Sequence, residues 1–275
     1  MSIQNFSKIL INAGIEENEA NYEIKMLLEH FCNYTEIDKL KGRELSLEEL
    51  NLIQEKVKLR AEKRIPIQHI IGQAWFMGEY FKVTSDVLIP RDETEILVQK
   101  AIDIINENEF EDVLDIGTGS GCIACTIAKN TNATVLGVDI SSDALRIALD
   151  NVTKLGINNK AIFRKSDLFE KIRDGEIFDI IISNPPYIPF GTVLEPELAY
   201  EPQMALFAGE DGIKIYRQII EKAPEFLTEK GYLMFELGIN ESQKVKLLME
   251  KDFENIFIEK DLAGIDRIIW GQKKK

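Results

Sequence analysis

The stretch "VLDIGTGSGCIA", residues 113–124, decides how the second half of the chain folds. It begins as a short apolar run and continues with glycine at Gly117, Gly119 and Gly121. Glycines directly after a strand let the backbone turn sharply and let a ligand approach the main chain. The stretch therefore predicts a buried strand, a ligand-binding loop and the start of a helix.

The spacing of these glycines narrows the choice of ligand. The loop reads G-x-G-x-G, and Cys122 stands at the last glycine position of the dinucleotide pattern G-x-G-x-x-G, which disfavours NAD. The sequence contains no G-x-x-x-x-G-K-[ST], so a P-loop is excluded. Cys122 and Cys125 form a single C-x-x-C pair among apolar neighbours, and small buried residues are a better interpretation than a redox or zinc site.

From about residue 110 onward, short apolar runs alternate with helical patterns. The runs are "DVLDIG", "TVLGVDI", "AIFRKSD", "FDIIISN" and "GYLMFELG", with helical patterns such as "SDALRIALDNVTKLG" between them. This alternation predicts an α/β fold, a parallel sheet with helices on both faces. Two last runs, "NIFIEKD" and "DRIIWGQ", follow each other directly and predict an antiparallel hairpin at the end of the sheet.

The segments before this sheet predict two further parts. Residues 1–72 repeat apolar positions at three- and four-residue steps, and Ser46 with Glu49 forms a capping-box pattern, so we expect an N-terminal helical domain. That segment shows no reactive cluster, which leaves substrate recognition as its role. Residues 73–90 are rich in aromatic and β-branched residues and predict a linking β-hairpin. The predicted sheet and its helices then form a further domain that spans residues 91–275.

Composition limits the partners and the compartment. The formal net charge is −14, and a protein that grips nucleic acid through phosphates usually has a basic face, so direct nucleic-acid binding is not expected. No apolar run approaches the ~18 residues that a membrane span needs. The start of the sequence lacks the features of a secretory signal, and the three cysteines fit a reduced compartment. These observations predict a cytoplasmic protein.

Acidic residues follow the next two predicted strands. Asp139 ends the second strand, where a carboxylate can accept hydrogen bonds from ribose hydroxyls. Asp167 ends the third, where it could accept from an exocyclic adenine amine while Leu168 packs against the ring. Each acid alone is also explained as a helix N-cap or a loop charge.

The fourth strand runs into "NPPY", residues 184–187. Proline has a fixed φ and no N–H and restricts the residue before it, so this backbone is stiff and offers acceptors but few donors. Asn184 adds its side-chain carbonyl as a further acceptor. A planar –NH2 group bound by two such acceptors would have its nitrogen fixed in one place, with Tyr187 stacked on its plane. A rigid turn is the alternative for Asn-Pro-Pro alone.

Three consecutive strand ends carrying G-x-G-x-G, Asp and Asp resemble the class I S-adenosylmethionine-dependent methyltransferases. The resemblance implies a Rossmann-like seven-stranded sheet whose last strand is antiparallel, with S-adenosylmethionine bound across the strand ends. The cofactor-binding residues that it implies are Gly117, Thr118, Gly119, Ser120, Gly121, Asp139, Asp167, Leu168 and Asn184.

The motif NPPY also resembles sequences in DNA adenine, ribosomal RNA guanine and protein glutamine methyltransferases. The stretches "VLIPRDETEILV", "NPPYIP", "YEPQMALFAGEDGIKIYRQII" and "KDLAGIDRII" together resemble the HemK/PrmC family. The family departs from this chain in having proline where Asp92 stands and often "GG" at Ala208-Gly209.

This resemblance implies methylation of N5 of the glutamine in the Gly-Gly-Gln loop of peptide chain release factors by a monomeric enzyme that modulates translation termination. The implied catalytic residues are Asn184, Pro185, Pro186 and Tyr187, whereas Arg91 and Glu93 receive no role. Three alternatives stay open: a methyltransferase acting on an exocyclic amine of DNA or RNA, a module that binds the cofactor without turnover, and a non-enzymatic translation partner.

Overall fold

The computed structural model describes residues 3–275, so residues 1 and 2 of the predicted N-terminal domain lie outside the described residues. The chain divides into two compact units. The first contains the described residues up to Gln73 together with Glu195–Tyr200, and the second contains Ala74–Leu194 with Glu201–Lys275. Between residues 3 and 275 there is no helix with the length and apolar character that crossing a membrane requires.

The first unit is a small helical bundle. Its helices are α1 (Ile3–Asn12), α2 (Glu17–Cys32), α3 (Glu36–Leu40), α4 (Leu47–Lys63) and α5 (Ile67–Ile71). The capping box predicted at the start of α4 is confirmed: Ser46 Oγ accepts from the Glu49 N–H at 3.2 Å, and the Glu49 carboxylate accepts from the Ser46 N–H at 2.7 Å. Apolar side chains of α1, α2 and α4 form the core of this unit.

A buried arginine ties Glu195–Tyr200 into this first unit. Arg60 is 2% exposed, and its Nε donates to both carboxylate oxygens of Glu23 at 2.9 Å. Its Nη1 donates to Glu197 at 2.6 Å, and Arg64 Nε donates to the same oxygen at 2.7 Å. Because a buried charge is tolerated only when it is paired, Glu197 holds the segment by completing the partners of Arg60.

The predicted hairpin is present but shorter than residues 73–90. Strand β1 is Gln73–Phe76 and strand β2 is Glu79–Lys82. Met77 and Gly78 turn the chain with φ values of 48° and 86°, the left-handed pair that a tight hairpin needs. Residues 83–91 continue without helix or strand, because Thr84 and Asp86 form a local turn and Pro90 supplies no N–H.

The second unit confirms the predicted α/β fold. Its elements are α6 (Asp92–Asn108), β3 (Asp112–Ile116), α7 (Cys122–Asn130), β4 (Thr134–Asp139), α8 (Ser142–Leu155), β5 (Ala161–Lys165), β6 (Phe178–Ser183), α9 (Gln203–Leu206), α10 (Lys214–Phe226), β7 (Leu227–Glu236), α11 (Ser242–Met249), β8 (Phe253–Lys260) and β9 (Asp266–Lys273). The seven-stranded sheet has the order β5-β4-β3-β6-β7-β9-β8. The predicted antiparallel hairpin at the end of the sheet is confirmed: it consists of β8 and β9. Strand β9 is antiparallel to both of its neighbours and lies between β7 and β8.

Alternate residues along the strands face two separate cores. On one face Val113 and Ile180 pack with apolar side chains of α6 and α7. On the other face Leu114 and Ile181 pack with side chains of α10 and α11. Because helices cover both faces, the carboxyl ends of the parallel strands stay accessible, and ligands of such sheets bind there.

Candidate active site

A cavity of about 360 Å³ opens at the carboxyl ends of β3, β4 and β6. The structure brings most of the predicted site residues together in its lining: Gly117, Gly119, Asp139, Asp167, Leu168, Asn184, Pro185 and Pro186. Thr118, Ser120, Gly121 and Tyr187 do not belong to the lining. Their contacts give each of them a place beside or beneath the cavity.

The glycine loop after β3 is shaped by hydrogen bonds to the end of β4. The N–H groups of Gly117 and Thr118 donate to the Val138 carbonyl at 2.8 and 3.0 Å. The Gly119 N–H donates to Oδ2 of Asp139 at 2.9 Å. With φ values of 73° and 53°, Gly117 and Gly119 adopt the left-handed conformation that glycine tolerates best. The loop thereby keeps main chain, without side chains, against the cavity.

Asp139 connects this loop to the next helix. Its Oδ1 accepts from the Ser141 N–H at 2.8 Å, while Oδ2 accepts from Gly119. Burial raises the pKa of the carboxyl, and the two N–H donors partly oppose that rise. The carboxylate is therefore fixed in place at the cavity wall and has further lone pairs for a ligand hydroxyl.

Thr118 supports a second, deeper carboxylate that the sequence did not single out. Asp115 is completely buried in β3 and accepts a hydrogen bond from the Thr118 hydroxyl at 2.5 Å. Burial raises the pKa of Asp115 to about 7, against the lowering effect of that hydrogen bond. Within residues 3–275, Oδ1 of Asp115 has no hydrogen-bond partner. Thr118 thus orients a buried acid below the loop.

Ser120 and Gly121 pack the loop against helix α8. The Ser120 carbonyl accepts from Asn151 Nδ2 at 2.9 Å. A Cβ on Gly121 would lie 3.0 Å from the Cβ of Ala148 and 3.1 Å from Cζ of Phe163, which is tighter than ordinary contact. Glycine at this position permits close approach of the helix, and a direct cofactor contact for either residue stays a prediction.

Asp167 and Leu168 line the cavity below the end of β5. Leu168 has a φ of 45°, an uncommon conformation for a residue with a side chain. The Ser166 hydroxyl donates to the Leu168 carbonyl at 2.8 Å and stabilises this turn. The turn places an apolar side chain and a carboxylate next to each other at the cavity wall, as packing against a ring with an amine would require.

The NPPY segment starts directly after β6. Ser183 Oγ donates to the Ile116 carbonyl at 2.6 Å and joins the ends of β6 and β3. Asn184 Nδ2 donates to Oγ1 of Thr94 at 3.1 Å. Among residues 3–275, no group donates to Oδ1 of Asn184 or to the Pro185 carbonyl. The segment therefore presents two acceptors at the cavity wall.

Tyr187 lies beside the cavity, in space that two glycines leave open. A Cβ on Gly238 would lie 2.9 Å from Cδ2 of Tyr187, and one on Gly212 would lie 2.8 Å from its carbonyl oxygen. Burial raises the pKa of Tyr187 to about 12, so its phenol is neutral near neutral pH. The ring also packs against the core of the α10 face.

Arg91, left without a role by the sequence, links two separate motifs. Its Nη2 donates to Oε1 of Glu201 at 2.5 Å, and Oε2 of Glu201 accepts from the Ile89 N–H at 2.9 Å. Glu201 is 5% exposed, so its carboxylate is largely shielded from water, whereas the Arg91 side chain is 31% exposed. The contact holds "IPRDE" against "YEPQ". Glu93 lines a neighbouring surface groove with Asp92.

The two cysteines of the C-x-x-C pair are free, lie in α7 and are buried in the core. Burial raises the pKa of the Cys122 thiol to about 12 and also raises the pKa of Cys125. Thiols in this state are unreactive at neutral pH. The interpretation as small buried residues is confirmed.

Comparisons with protein families assign both parts of the chain. The family described as "Methyltransferase domain" matches residues 107–273, and the family described as "PrmC N-terminal domain" matches residues 2–72.

Curated relatives match over most of their length. A release factor glutamine methyltransferase of Thermodesulfovibrio yellowstonii is 36% identical over 94% of this chain and 95% of that protein. The protein of the same name in Bacillus subtilis is 38% identical over 96% of this chain and 93% of its own. One from Fusobacterium nucleatum is 41% identical over 84% of this chain and 67% of that protein.

Solved structures share the fold at low sequence identity. A Pyrococcus furiosus methyltransferase superimposes with a TM-score of 0.54 at 16% identity, covering 84% of this chain and 100% of that one. A T. thermophilus ribosomal RNA methyltransferase, solved with AdoMet and guanosine, gives 0.53 at 18% identity, covering 74% and 50%. These likenesses show the class I methyltransferase fold.

Proposed function

Because the chain belongs to the release factor glutamine methyltransferase family, we propose that it methylates the side-chain amide nitrogen, N5, of the glutamine in the Gly-Gly-Gln loop of a peptide chain release factor. S-Adenosylmethionine is the methyl donor. The observation that carries the proposal is the pair of acceptors at Asn184 and Pro185, which have no donor within residues 3–275.

The cavity fits S-adenosylmethionine in size and chemistry. Its volume of about 360 Å³ lies in the range of small-molecule sites, which begins near 300 Å³. Asp139 would accept from ribose hydroxyls, Asp167 from the adenine amine, and Leu168 would cover the ring. Gly117 and Gly119 would leave room for the remainder of the molecule. When bound, the cofactor supplies an electrophilic methyl group on a positively charged sulfur.

The residues after β6 would prepare the amide for attack. A primary amide has two N–H donors, which Oδ1 of Asn184 and the Pro185 carbonyl would accept. Acceptors on both hydrogens hold the nitrogen in one place and favour positive charge as it develops there. Pro186 stiffens the loop and Tyr187 flanks the amide. A general base on histidine is not required, and the two histidines of the sequence, His30 and His69, lie in the first unit.

The partner and the compartment follow from the same proposal. The enzyme acts as a cytoplasmic monomer on release factors and does not bind nucleic acid directly. A net charge of −14 supports this, as do the free buried cysteines. The helical first unit, which matches the family described as "PrmC N-terminal domain", would contribute to recognition of the release factor.

The test is a methyl-transfer assay with labelled S-adenosylmethionine. Three acceptors are offered side by side: purified release factor, its Gly-Gly-Gln variant with Gln→Ala, and duplex DNA. We expect label in the intact release factor alone. Label in DNA, or equal label in the Gln→Ala variant, would show that the amino group was assigned to the wrong class of substrate.

A further inference from the structure

Asn184 is the end of a buried chain of hydrogen bonds. Its Nδ2 donates to Oγ1 of Thr94 at 3.1 Å, and the Thr94 hydroxyl donates to Oε2 of Glu236 at 2.5 Å. Thr94 lies in the first turn of α6 and is 2% exposed, whereas Glu236 ends β7 and is 1% exposed. Two side chains from two separate elements, α6 and β7, therefore act on the amide group of Asn184.

The donor and acceptor groups of these three side chains fix the direction of the hydrogen bonds between them. A hydroxyl carries a single hydrogen, and an ionised carboxylate can only accept, so when Glu236 is ionised the hydrogen of Thr94 points to Glu236. Oγ1 of Thr94 then has no hydrogen to donate to Asn184 and can only accept from it. An acceptor selects Nδ2 over Oδ1, because a rotated amide would place two oxygen lone pairs against each other. Oδ1 must accordingly take the opposite side of the amide.

We propose that Thr94 and Glu236 are positioning residues that keep Oδ1 of Asn184 available to the substrate amide. The inference rests on the proposed function only for the identity of that substrate. If Asn184 rotated by half a turn, it would present an –NH2 group to another –NH2 group, donor against donor. Loss of these hydrogen bonds should therefore reduce turnover beyond any effect on stability.

The first test needs no substrate. In ¹⁵N-labelled protein, the side-chain amide signal of Asn184 is identified by its absence in Asn184→Ala. Thr94→Val keeps the shape of the side chain but removes the hydroxyl, so we expect the signal to move and its hydrogen exchange to accelerate by about tenfold. Thr94→Ser should restore both. An unchanged signal in Thr94→Val would overturn the proposal.

A matched control separates orientation from packing. Thr126 is also a buried threonine, 3% exposed, but it lies on α7. Thr126→Val should leave the Asn184 signal and the turnover unchanged. Because both valine variants replace a buried hydroxyl on a helix, any difference between them reports on the chain to Asn184.

The kinetic test uses the full-length enzyme with S-adenosylmethionine and release factor. Burial raises the pKa of Glu236 to about 7, so assays are run at about pH 8, where it is ionised. Thr94→Val should lower kcat by about tenfold with KM for the cofactor unchanged, and Thr94→Ser should recover most of the loss.

Repeating the kinetic test in the Asn184→Asp variant shows whether the loss of turnover is due to orientation of the amide. In Asn184→Asp, the carboxylate presents an acceptor on either side, so adding Thr94→Val should change kcat by less than about twofold. Equal losses in both backgrounds would contradict an orienting role. If the wild-type enzyme did not methylate release factor at all, the proposed function would fail, whereas the amide signal would still decide the inference.

Discussion

Two loops at the carboxyl ends of neighbouring strands keep their conformations in different ways. The loop after β3, Gly117–Gly121, is shaped by left-handed glycines and by hydrogen bonds to Val138 and Asp139. The loop after β6, Asn184–Tyr187, is stiffened by its own proline rings. A bare backbone lets a large ligand approach, whereas fixed φ angles and missing N–H groups present acceptors at a set spacing. The difference shows that the conformation of the first loop depends on contacts with neighbouring residues, whereas that of the second depends mainly on its own sequence.

Removing the acceptor of the second loop should have the largest effect. Asn184→Ala is expected to lower kcat by about a thousandfold, the upper range for loss of one preorganised polar group. Binding of S-adenosylhomocysteine, measured by calorimetry, should change by less than about threefold, because the cofactor is held mainly by the first loop. Turnover close to that of the wild type would remove the proposed role of Asn184.

The carboxyl beneath the first loop should make stability depend on pH. The pKa of Asp115 is raised to about 7 in the folded state, above its unfolded value near 4, so its contribution to stability is present at low pH and is lost as pH rises to about 7. Asp115→Asn removes this loss. Relative to wild type, Asp115→Asn should gain about 2.6 kcal/mol more in its free energy of unfolding, and so in stability, at pH 8 than at pH 5.

Denaturant unfolding at several pH values measures this difference. Asp143→Asn is the control, because Asp143 lies exposed on α8 beside Arg146. If both variants gave the same pH profile as the wild type, Asp115 would not titrate in this range.

Asp139 tests how far the first loop depends on its neighbours. Asp139→Ala removes the acceptor of the Gly119 N–H and a proposed ligand of the ribose, and we expect the Kd for S-adenosylmethionine to rise about tenfold. The kcat at saturating cofactor should fall less, since the amide acceptors are untouched. An unchanged Kd would mean that Asp139 has no part in cofactor binding.

The smallest effect should come from the packing behind the second loop. The Cβ added in Gly238→Ala would lie 2.6 Å from Oε2 of Glu241 and 2.9 Å from Cδ2 of Tyr187, so both side chains must shift. We expect kcat/KM for release factor to fall about fivefold. Gly231→Ala is the matched control, since its Cβ would meet a side-chain carbon of Leu227 at 2.9 Å, far along β7 from the site. Similar activity losses in both variants would point to general destabilisation.

Local patterns predicted most of the fold and the lining of the cavity. The strand ending at Asp139, the capped helix α4 and the strand before Asn184 each depend on a few consecutive residues, whose periodicity and turn chemistry are visible in the sequence. The insertion of β9 between β7 and β8 was not predictable in this way, because it depends on pairing among distant strands.

The support of the site was missed for the same reason. Thr94 lies 90 positions from Asn184 and 142 from Glu236, so no local pattern connects them. Arg91 and Glu201 are likewise separated by 110 positions. A signal was nevertheless present for most of these residues. Arg91, Thr94, Asn184 and Glu201 fall within stretches that resemble the family, whereas Glu236 lies outside them. Residues with no local explanation in such stretches are candidates for long-range contacts.

The segment Glu195–Tyr200 makes the first unit a discontinuous domain. During synthesis, Glu197 emerges long after Arg60 and Arg64, so the buried arginine lacks one of its counter-charges until most of the chain has been made. Domains usually fold in order from the N-terminus as they leave the ribosome. The last step in assembling this helical bundle must instead wait for residues that follow the loop after β6. A fragment that ends at Gln73 lacks Glu197 and could not complete that step.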